Sequence, residues 1–132
     1  MSKYPQFTLS YNIRTTNEER LGMLDLYRRA FHATKIAEGT PPGSDELHIM
    51  MEIYGVEMLL GPGVAVGKGL DNAIVCEVRY DDEKEFREAY EVLAQKAQSS
   101  ALEGPYPWAT SLALIMDQYG VGWALYYNEP EK

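Results

Sequence analysis

Residues 72–97, NAIVCEVRYDDEKEFREAYEVLAQKA, decide the fold, because the hydrophobic period within them changes from that of a strand to that of a helix. The first part, NAIVCEVRY, alternates as a half-buried β-strand does. Asp82 followed by Glu85 has the spacing of a capping box, which marks the start of a helix. The apolar residues that then recur at helical spacing are Phe86, Ala89, Tyr90, Leu93 and Ala97. The stretch therefore predicts a strand followed by an amphipathic helix.

The same plan occurs once earlier in the chain. Residues 7–16, FTLSYNIRTT, alternate between apolar and polar side chains and predict a strand. Thr16 and Glu19 repeat the capping-box spacing, and the apolar stripe after them predicts a helix from about Asn17 to Phe31. An internal repeat of this kind indicates two copies of one supersecondary unit.

Three short strands are predicted after each helix. The first set is ATKIAEG, LHIMMEIYG and VEMLLG, with a tight turn near Tyr54 and Gly55, and the second is QSSALEG, TSLALIMD and GVGWALYYN. The glycine-rich GPGVAVGKGL, residues 61–70, reads as a linker. Residues 1–132 are therefore predicted to be a single α+β domain made of two βαβββ modules, about 1–62 and 71–132.

Composition and charge exclude several classes of partner. The formal net charge of -8 disfavours nucleic acid and anionic membrane surfaces, since no cluster of Lys and Arg offsets it. Cys76 is the single cysteine, so no intrachain disulfide is possible, and apolar neighbours predict a buried structural thiol. MSKYPQFTLS has no long apolar run, from which we expect a cytoplasmic protein.

Strand parity separates a helix-packed apolar face from a more polar inner face in each predicted sheet. The inner set contains Ser10, Asn12, Arg14, Glu77, Arg79, Tyr126 and Asn128. On the third strand His48, Met50 and Glu52 share the inner face. Trp123 and Tyr127 have the parity of the core, and so does Cys76, whereas Trp108 in the turn-rich PYPW lies either at a cleft mouth or over the core.

The tandem plan, with LDLYRRAFHATK closing the first helix and DQYGVGWALYY near the chain end, resembles the vicinal oxygen chelate superfamily of glyoxalase, bleomycin resistance and dioxygenase proteins, and within it the PhnB-like branch. The resemblance implies a cupped mixed sheet, a homodimer and, in metal-using members, a divalent ion held by inward strand positions. Those positions fall on Ser10 or Asn12, on Ala73 or Val75, and on Ala124, none of which is a usual ligand. The resemblance thus implies the fold without the usual metal.

Two histidines leave few ways to build a metal site. His32 follows the first helix, where an imidazole complements the helix dipole. His48 with Glu52 and Glu77 is the remaining candidate set, one histidine with two carboxylates, and a partly buried polar His48 is its structural alternative.

The sequence favours a small-molecule binding protein over an enzyme, and leaves open whether any reaction is catalysed. We expect a homodimer that binds an organic ligand and needs no cofactor. Arg14 and Arg79 suit a carboxylate or phosphonate, which favours an anionic ligand. The predicted ligand-binding set is Asn12, Arg14, His48, Glu77, Arg79, Trp108 and Tyr126. Two alternatives stand beside it: a lyase or dioxygenase with a divalent metal at His48, Glu52 and Glu77, and an interaction subunit that uses LHIMMEIYGVEMLL and the tyrosines as an interface.

Overall fold

The computed structural model describes residues 9–11, 14–62 and 75–130, and the chain divides into two compact units, Met1–Ala65 and Val66–Lys132. The first unit contains β1 (Leu9–Tyr11), α1 (Asn17–Phe31), β2 (Thr34–Gly39), β3 (His48–Ile53) and β4 (Val56–Leu60). The second contains β5 (Cys76–Tyr80), α2 (Glu83–Ala94), β6 (Ser99–Glu103), β7 (Ser111–Met116) and β8 (Gly122–Tyr127). Each unit runs strand, helix and three strands, as predicted from the repeat.

Both sheets are mixed and have the same topology. Their strand orders are β1-β4-β3-β2 and β5-β8-β7-β6. In each sheet the strand before the helix pairs parallel with the last strand of the unit, and the other neighbours are antiparallel. The predicted α+β fold of tandem βαβββ modules is confirmed.

Helix α1 has the predicted bounds because both of its ends are specified locally. Thr16 Oγ1 accepts a hydrogen bond from the Glu19 backbone N–H at 3.1 Å, and Glu19 Oε1 accepts one from the Thr16 N–H at 3.0 Å. At the other end His32 adopts a left-handed conformation, φ 56°, and its N–H donates to the Arg28 carbonyl. The buried stripe of the helix consists of Met23, Leu24, Leu26, Tyr27, Ala30 and Phe31.

Helix α2 begins where predicted but is shorter. Asp82 Oδ1 accepts hydrogen bonds from the backbone N–H groups of Lys84 and Glu85, at 2.9 and 3.4 Å. The helix ends at Ala94, so the predicted helical position of Ala97 was wrong. The chain turns earlier because the Gln98 N–H donates to the Met116 carbonyl, at 2.9 Å, at the entry to β6. No helix within the described ranges is both long enough and apolar enough to cross a bilayer.

Arg14 does not lie on a strand. It is an exposed residue in the segment that leads into α1, because the chain has left the sheet before the cap at Thr16. The prediction that Arg14 lies on the first strand was therefore wrong. Asn12, Ala73 and most of the predicted linker lie outside the described residues.

Candidate functional site

Three predicted site residues meet on one face of the second sheet. Strand register pairs Arg79 with Tyr126 and Glu77 with Ala124, so these side chains share the face opposite α2. The other face is the core side, where Trp123, Leu125 and Tyr127 are buried. The predicted parity of β8 is confirmed, and the face with Glu77, Arg79 and Tyr126 is here called the inner face.

Glu77, Arg79 and Tyr126 form a closed polar cluster. Arg79 Nη2 donates to Glu77 Oε2 at 3.2 Å, and the Tyr126 hydroxyl donates to Glu77 Oε1 at 3.2 Å. The guanidinium carbon of Arg79 lies 5.5 Å from the centre of the Tyr126 ring, within cation–π range. The Arg79 side chain is nevertheless 74% exposed, so most of its N–H donors face solvent.

The surroundings keep Tyr126 protonated. Burial raises the pKa of the Tyr126 phenol, the negative charge of Glu77 and the hydrogen bond to it raise it further, and the Arg79 cation partly opposes them by lowering it. The phenol therefore remains a hydrogen-bond donor well above neutral pH, and Glu77 remains its acceptor.

An apolar floor lies beside this cluster. Ala109, Leu112 and Ala124 are buried together, and Tyr126 packs against them. Sequence parity predicted a more polar inner face, but in this sheet the face is polar along β5 and apolar at the centre. The small side chain of Ala124 admits this packing, and only 3% of the residue is exposed.

A loop between β6 and β7 carries an exposed aromatic pair next to the floor. The rings of Tyr106 and Trp108 stack with centroids 5.0 Å apart and an interplanar angle of 5°. Two backbone hydrogen bonds join Tyr106 to Ala109, whose side chain belongs to the floor, and the Tyr106 hydroxyl donates to Glu103. Trp108 is 61% exposed, which excludes its role as a cap over the core.

The DQYGVGW stretch is a turn built around a buried carboxylate. Asp117 is 0% exposed, and its Oδ1 accepts hydrogen bonds from the N–H groups of Tyr119 and Val121, at 2.9 and 3.1 Å. Its Oδ2 accepts the indole N–H of Trp123 at 3.0 Å. Sequence reasoning missed this residue, although an aspartate that opens a turn and is followed six positions later by tryptophan was a usable signal.

The first sheet has a different inner face. Along β3, Ile49, Met51 and Ile53 are buried, whereas His48 and Met50 are half-buried and Glu52 is exposed, as the alternation predicts. Glu52 stands directly opposite Glu57 of β4 in the strand register. This face therefore carries two carboxylates side by side on its central strands, β3 and β4.

A buried arginine holds the segment before β3 in place. Arg20 is 0% exposed, and its guanidinium donates to the Thr15 carbonyl, at 2.6 Å, to Asn17 Oδ1 and to Glu46 Oε2, at 2.6 Å. The Glu46 carbonyl in turn lies 3.0 Å from His48 Nδ1. Nothing in the helical pattern distinguished Arg20 from the other arginines of α1, because burial of a charge depends on the loop folded over it.

Solved structures with this architecture cover almost the whole chain. A PhnB protein from Bacillus cereus shares 19% identity and superposes with a TM-score of 0.70, covering 94% of this chain and 100% of its own. A Pseudomonas aeruginosa protein shares 17% identity with a TM-score of 0.71, covering 95% and 100%. A variant of the fosfomycin resistance protein FosX from Listeria monocytogenes, in complex with Mn(II) and 1S,2S-dihydroxypropylphosphonic acid, shares 13% identity with a TM-score of 0.61, covering 97% and 94%.

The chain has the vicinal oxygen chelate fold. Identities this low establish the fold alone, and neither a family model nor a curated protein sequence matches the chain. The resemblance inferred from the repeat and from DQYGVGWALYY is thus confirmed at the level of the fold.

The residues present do not fit the divalent metal that metal-using proteins of the vicinal oxygen chelate fold hold. Ala124 stands at one of the positions where the resemblance places a metal ligand, and its side chain is only a methyl group, buried in the apolar floor. His48 and Glu52 are four residues apart on one strand, about 13 Å at about 3.3 Å per residue, which is too far for both to ligate one ion from extended neighbouring positions. Within residues 9–11, 14–62 and 75–130 no three His, Cys, Asp or Glu side chains are grouped as metal ligands.

Proposed function

We propose that this protein binds a small organic anion, a carboxylate or a phosphonate, on the inner face of its second sheet and without the usual metal. Arg79 is the group that would hold the anion. The observation that carries this proposal is an exposed guanidinium, anchored by Glu77 and by the Tyr126 ring, beside the buried apolar floor.

Anchoring matters because it reduces the entropy lost on binding. The bond to Glu77 and the Tyr126 ring already restrict the Arg79 side chain, so less freedom remains to be lost when an anion binds. A planar guanidinium can give a carboxylate or phosphonate two parallel hydrogen bonds. We therefore expect the anion to displace water from Arg79 and to leave the Glu77 contact intact.

The rest of the ligand would lie over apolar surface. The floor of Ala109, Leu112 and Ala124 offers a contact for an alkyl group or a ring, and the loop with Trp108 lies next to it. The phosphonic acid in the FosX complex makes phosphonates a reasonable first panel for this chain. The arrangement supplies recognition, and we propose no bond-making step.

The test is calorimetric titration with propylphosphonate and benzoate, each paired with a neutral analogue, phosphonate diester and benzamide. Loss of a charge-assisted bidentate contact in Arg79→Gln should weaken anion binding at least about tenfold. Arg87→Gln is the matched control, because Arg87 pairs with Glu83 on α2 and is 49% exposed. Equal affinities for acid and neutral analogue, or an unchanged affinity in Arg79→Gln, would refute the proposal.

Metal content separates this proposal from a metal-dependent lyase or dioxygenase. After dialysis against zinc, nickel, manganese and iron, elemental analysis should find far less than one ion per chain in the parent protein and in His48→Ala. Near-stoichiometric metal that disappears in His48→Ala would support the enzyme and overturn the metal-free site.

A second copy of the chain is the protein partner we propose. The edge strands β2 and β6 are exposed along their whole lengths and carry apolar side chains, Ile36 at 48% and Leu102 at 43% exposure. Sedimentation velocity over a range of concentrations should report a dimer. A stable monomer at high concentration would remove this part of the proposal.

A further inference from the structure

A depression lies on the first sheet. Its volume is about 280 Å³, just under the usual size of a ligand pocket and enough for a single ring. It lies where β2, β3 and β4 adjoin the segment that follows β2. The lining includes Ala37, Gly39, Pro41, His48, Met50 and Leu59.

The contacts of His48 determine which ring nitrogen a ligand can use. The Glu46 carbonyl, 3.0 Å from Nδ1, can only accept a hydrogen bond, so Nδ1 of the neutral ring carries the proton. Nε2 then carries the lone pair. In the part of the chain that the structure describes, no side chain or backbone group is hydrogen-bonded to Nε2.

The segment that orients His48 is fixed at several points. Asn17 Nδ2 donates to the Asp45 carbonyl at 2.8 Å, and Asn17 Oδ1 accepts the Leu47 N–H at 2.8 Å. Arg20, fully buried, holds the Glu46 side chain. The imidazole is thus presented by a segment held at several points, and it lies beside Gly61, where an added Cβ would be 3.5 Å from Cδ2 and 3.7 Å from Nε2.

The charges around the depression select against anions. Glu38 contributes to its rim but is paired with Lys35, whereas Glu52 and Glu57, on the same face of the sheet, leave the face with a net negative charge. A negatively charged ligand would be repelled, whereas a lone-pair acceptor beside apolar side chains favours a ligand with one hydrogen-bond donor.

We infer that this depression is a second binding site, which takes a small, uncharged, largely apolar molecule that donates a hydroxyl or amide hydrogen bond to His48 Nε2. Met50, Leu59 and Ala37 contact its apolar part. Arg20 acts as a positioning residue, because it holds the backbone that sets the tautomer of His48. The inference does not depend on the anion site at Arg79.

The test uses phenol as the probe, followed by two-dimensional NMR on the full-length protein. Phenol should shift the His48 ring signals and the amides of β2 and β3, whereas anisole, which lacks the donor, and benzoate, which is charged, should bind at least tenfold more weakly. His48→Phe keeps a ring but removes the acceptor, and should weaken phenol binding at least tenfold. His32→Asn is the matched control, since His32 is an exposed left-handed residue, and it should bind phenol as the parent does.

Long-range proton–nitrogen spectra provide a readout that does not depend on any variant. They should show Nδ1 protonated and Nε2 unprotonated in the neutral ring, and Arg20→Lys should change this ratio of tautomers. Equal binding of phenol and anisole, undiminished binding in His48→Phe, or a protonated Nε2 would each overturn the inference. Failure of Arg79→Gln to affect anions would leave it standing, so the two proposals are tested apart.

Discussion

The two units share one backbone plan but connect their last two strands differently. In the first unit the turn is Tyr54 and Gly55, both with positive φ, 48° and 85°, the conformation of a tight hairpin turn. In the second, residues 117–121 form a wider connection in which the Asp117 carboxylate replaces backbone partners for two N–H groups. The same topology thus tolerates a two-residue turn or a longer turn organised by a buried carboxylate.

Among residues 9–11, 14–62 and 75–130, each unit buries one charged side chain, and the two stand at different places. Arg20 fixes the segment before β3, whereas Asp117 fixes the turn after β7. The two units therefore share strand order and helix placement, which follow from the repeat. The buried polar residues Arg20 and Asp117, and the binding faces near them, differ between the units.

The largest effect is expected for Arg20→Met. Removing the guanidinium takes the side-chain donor from the Thr15 carbonyl, leaves Asn17 Oδ1 with only the Leu47 N–H, and breaks the pair with Glu46. Because Glu46 is half exposed, its charge can be rehydrated, and the free energy of unfolding should fall by about 3 kcal/mol. Chemical denaturation measures it. Arg29→Met, which breaks only a surface pair with Asp25, should cost well under about 1 kcal/mol, and equal losses would contradict the role given to Arg20.

Asp117→Asn should be the next most damaging change. The shape is kept, but an amide cannot present two acceptor oxygens to the Tyr119 and Val121 N–H groups and to the Trp123 indole. One buried donor is left unsatisfied, which costs about 2 kcal/mol. Fluorescence of Trp123 should shift on substitution, and exposed Asp81→Asn serves as the control. An unperturbed Trp123 signal would show that the carboxylate is dispensable.

The helix caps should contribute less. Thr16→Ala removes a reciprocal capping box, whereas Asp82→Ala removes an acceptor from two N–H groups at the start of α2. Each should lower the free energy of unfolding by about 1 kcal/mol. Hydrogen exchange should localise the loss to the first turn of the helix concerned. A loss spread evenly over both units would mean that they do not unfold locally as separate bodies.

The smallest effect concerns alkaline pH. Since the pKa of Tyr126 is raised, the folded protein keeps this proton when the unfolded chain, at about pH 10, begins to lose it. The unfolded state then binds fewer protons, so stability falls as pH rises above about 10. Tyr126→Phe should make that fall shallower. In ultraviolet titration, Glu77→Gln should lower the Tyr126 pKa and Arg79→Gln should raise it, and shifts in the same direction would contradict the cluster.

Much of the scaffold was predictable from local signals. Thr16, Glu19 and Asp82 marked where helices start, and alternation placed Ile49, Met51 and Trp123 in the core. For the site, parity was enough to bring Glu77, Arg79 and Tyr126 to one face, since neighbouring strands in register align their side chains. The position of Arg14 could not be read from the sequence, because the alternation of apolar and polar side chains continues through this residue although it lies outside the strand.

By itself the sequence determined the tandem order of strands and helices, because capping spacing and hydrophobic period act over a few neighbouring residues. Only the tertiary structure decided that Arg20 and Asp117 are buried, that Ala124 closes an apolar floor, and that His48 is held by Glu46. Each of these depends on partners that come together only when the chain is folded. The free energy of burying a polar group depends on whether its hydrogen-bond partners are present, and no local sequence pattern indicates which distant residues will supply them.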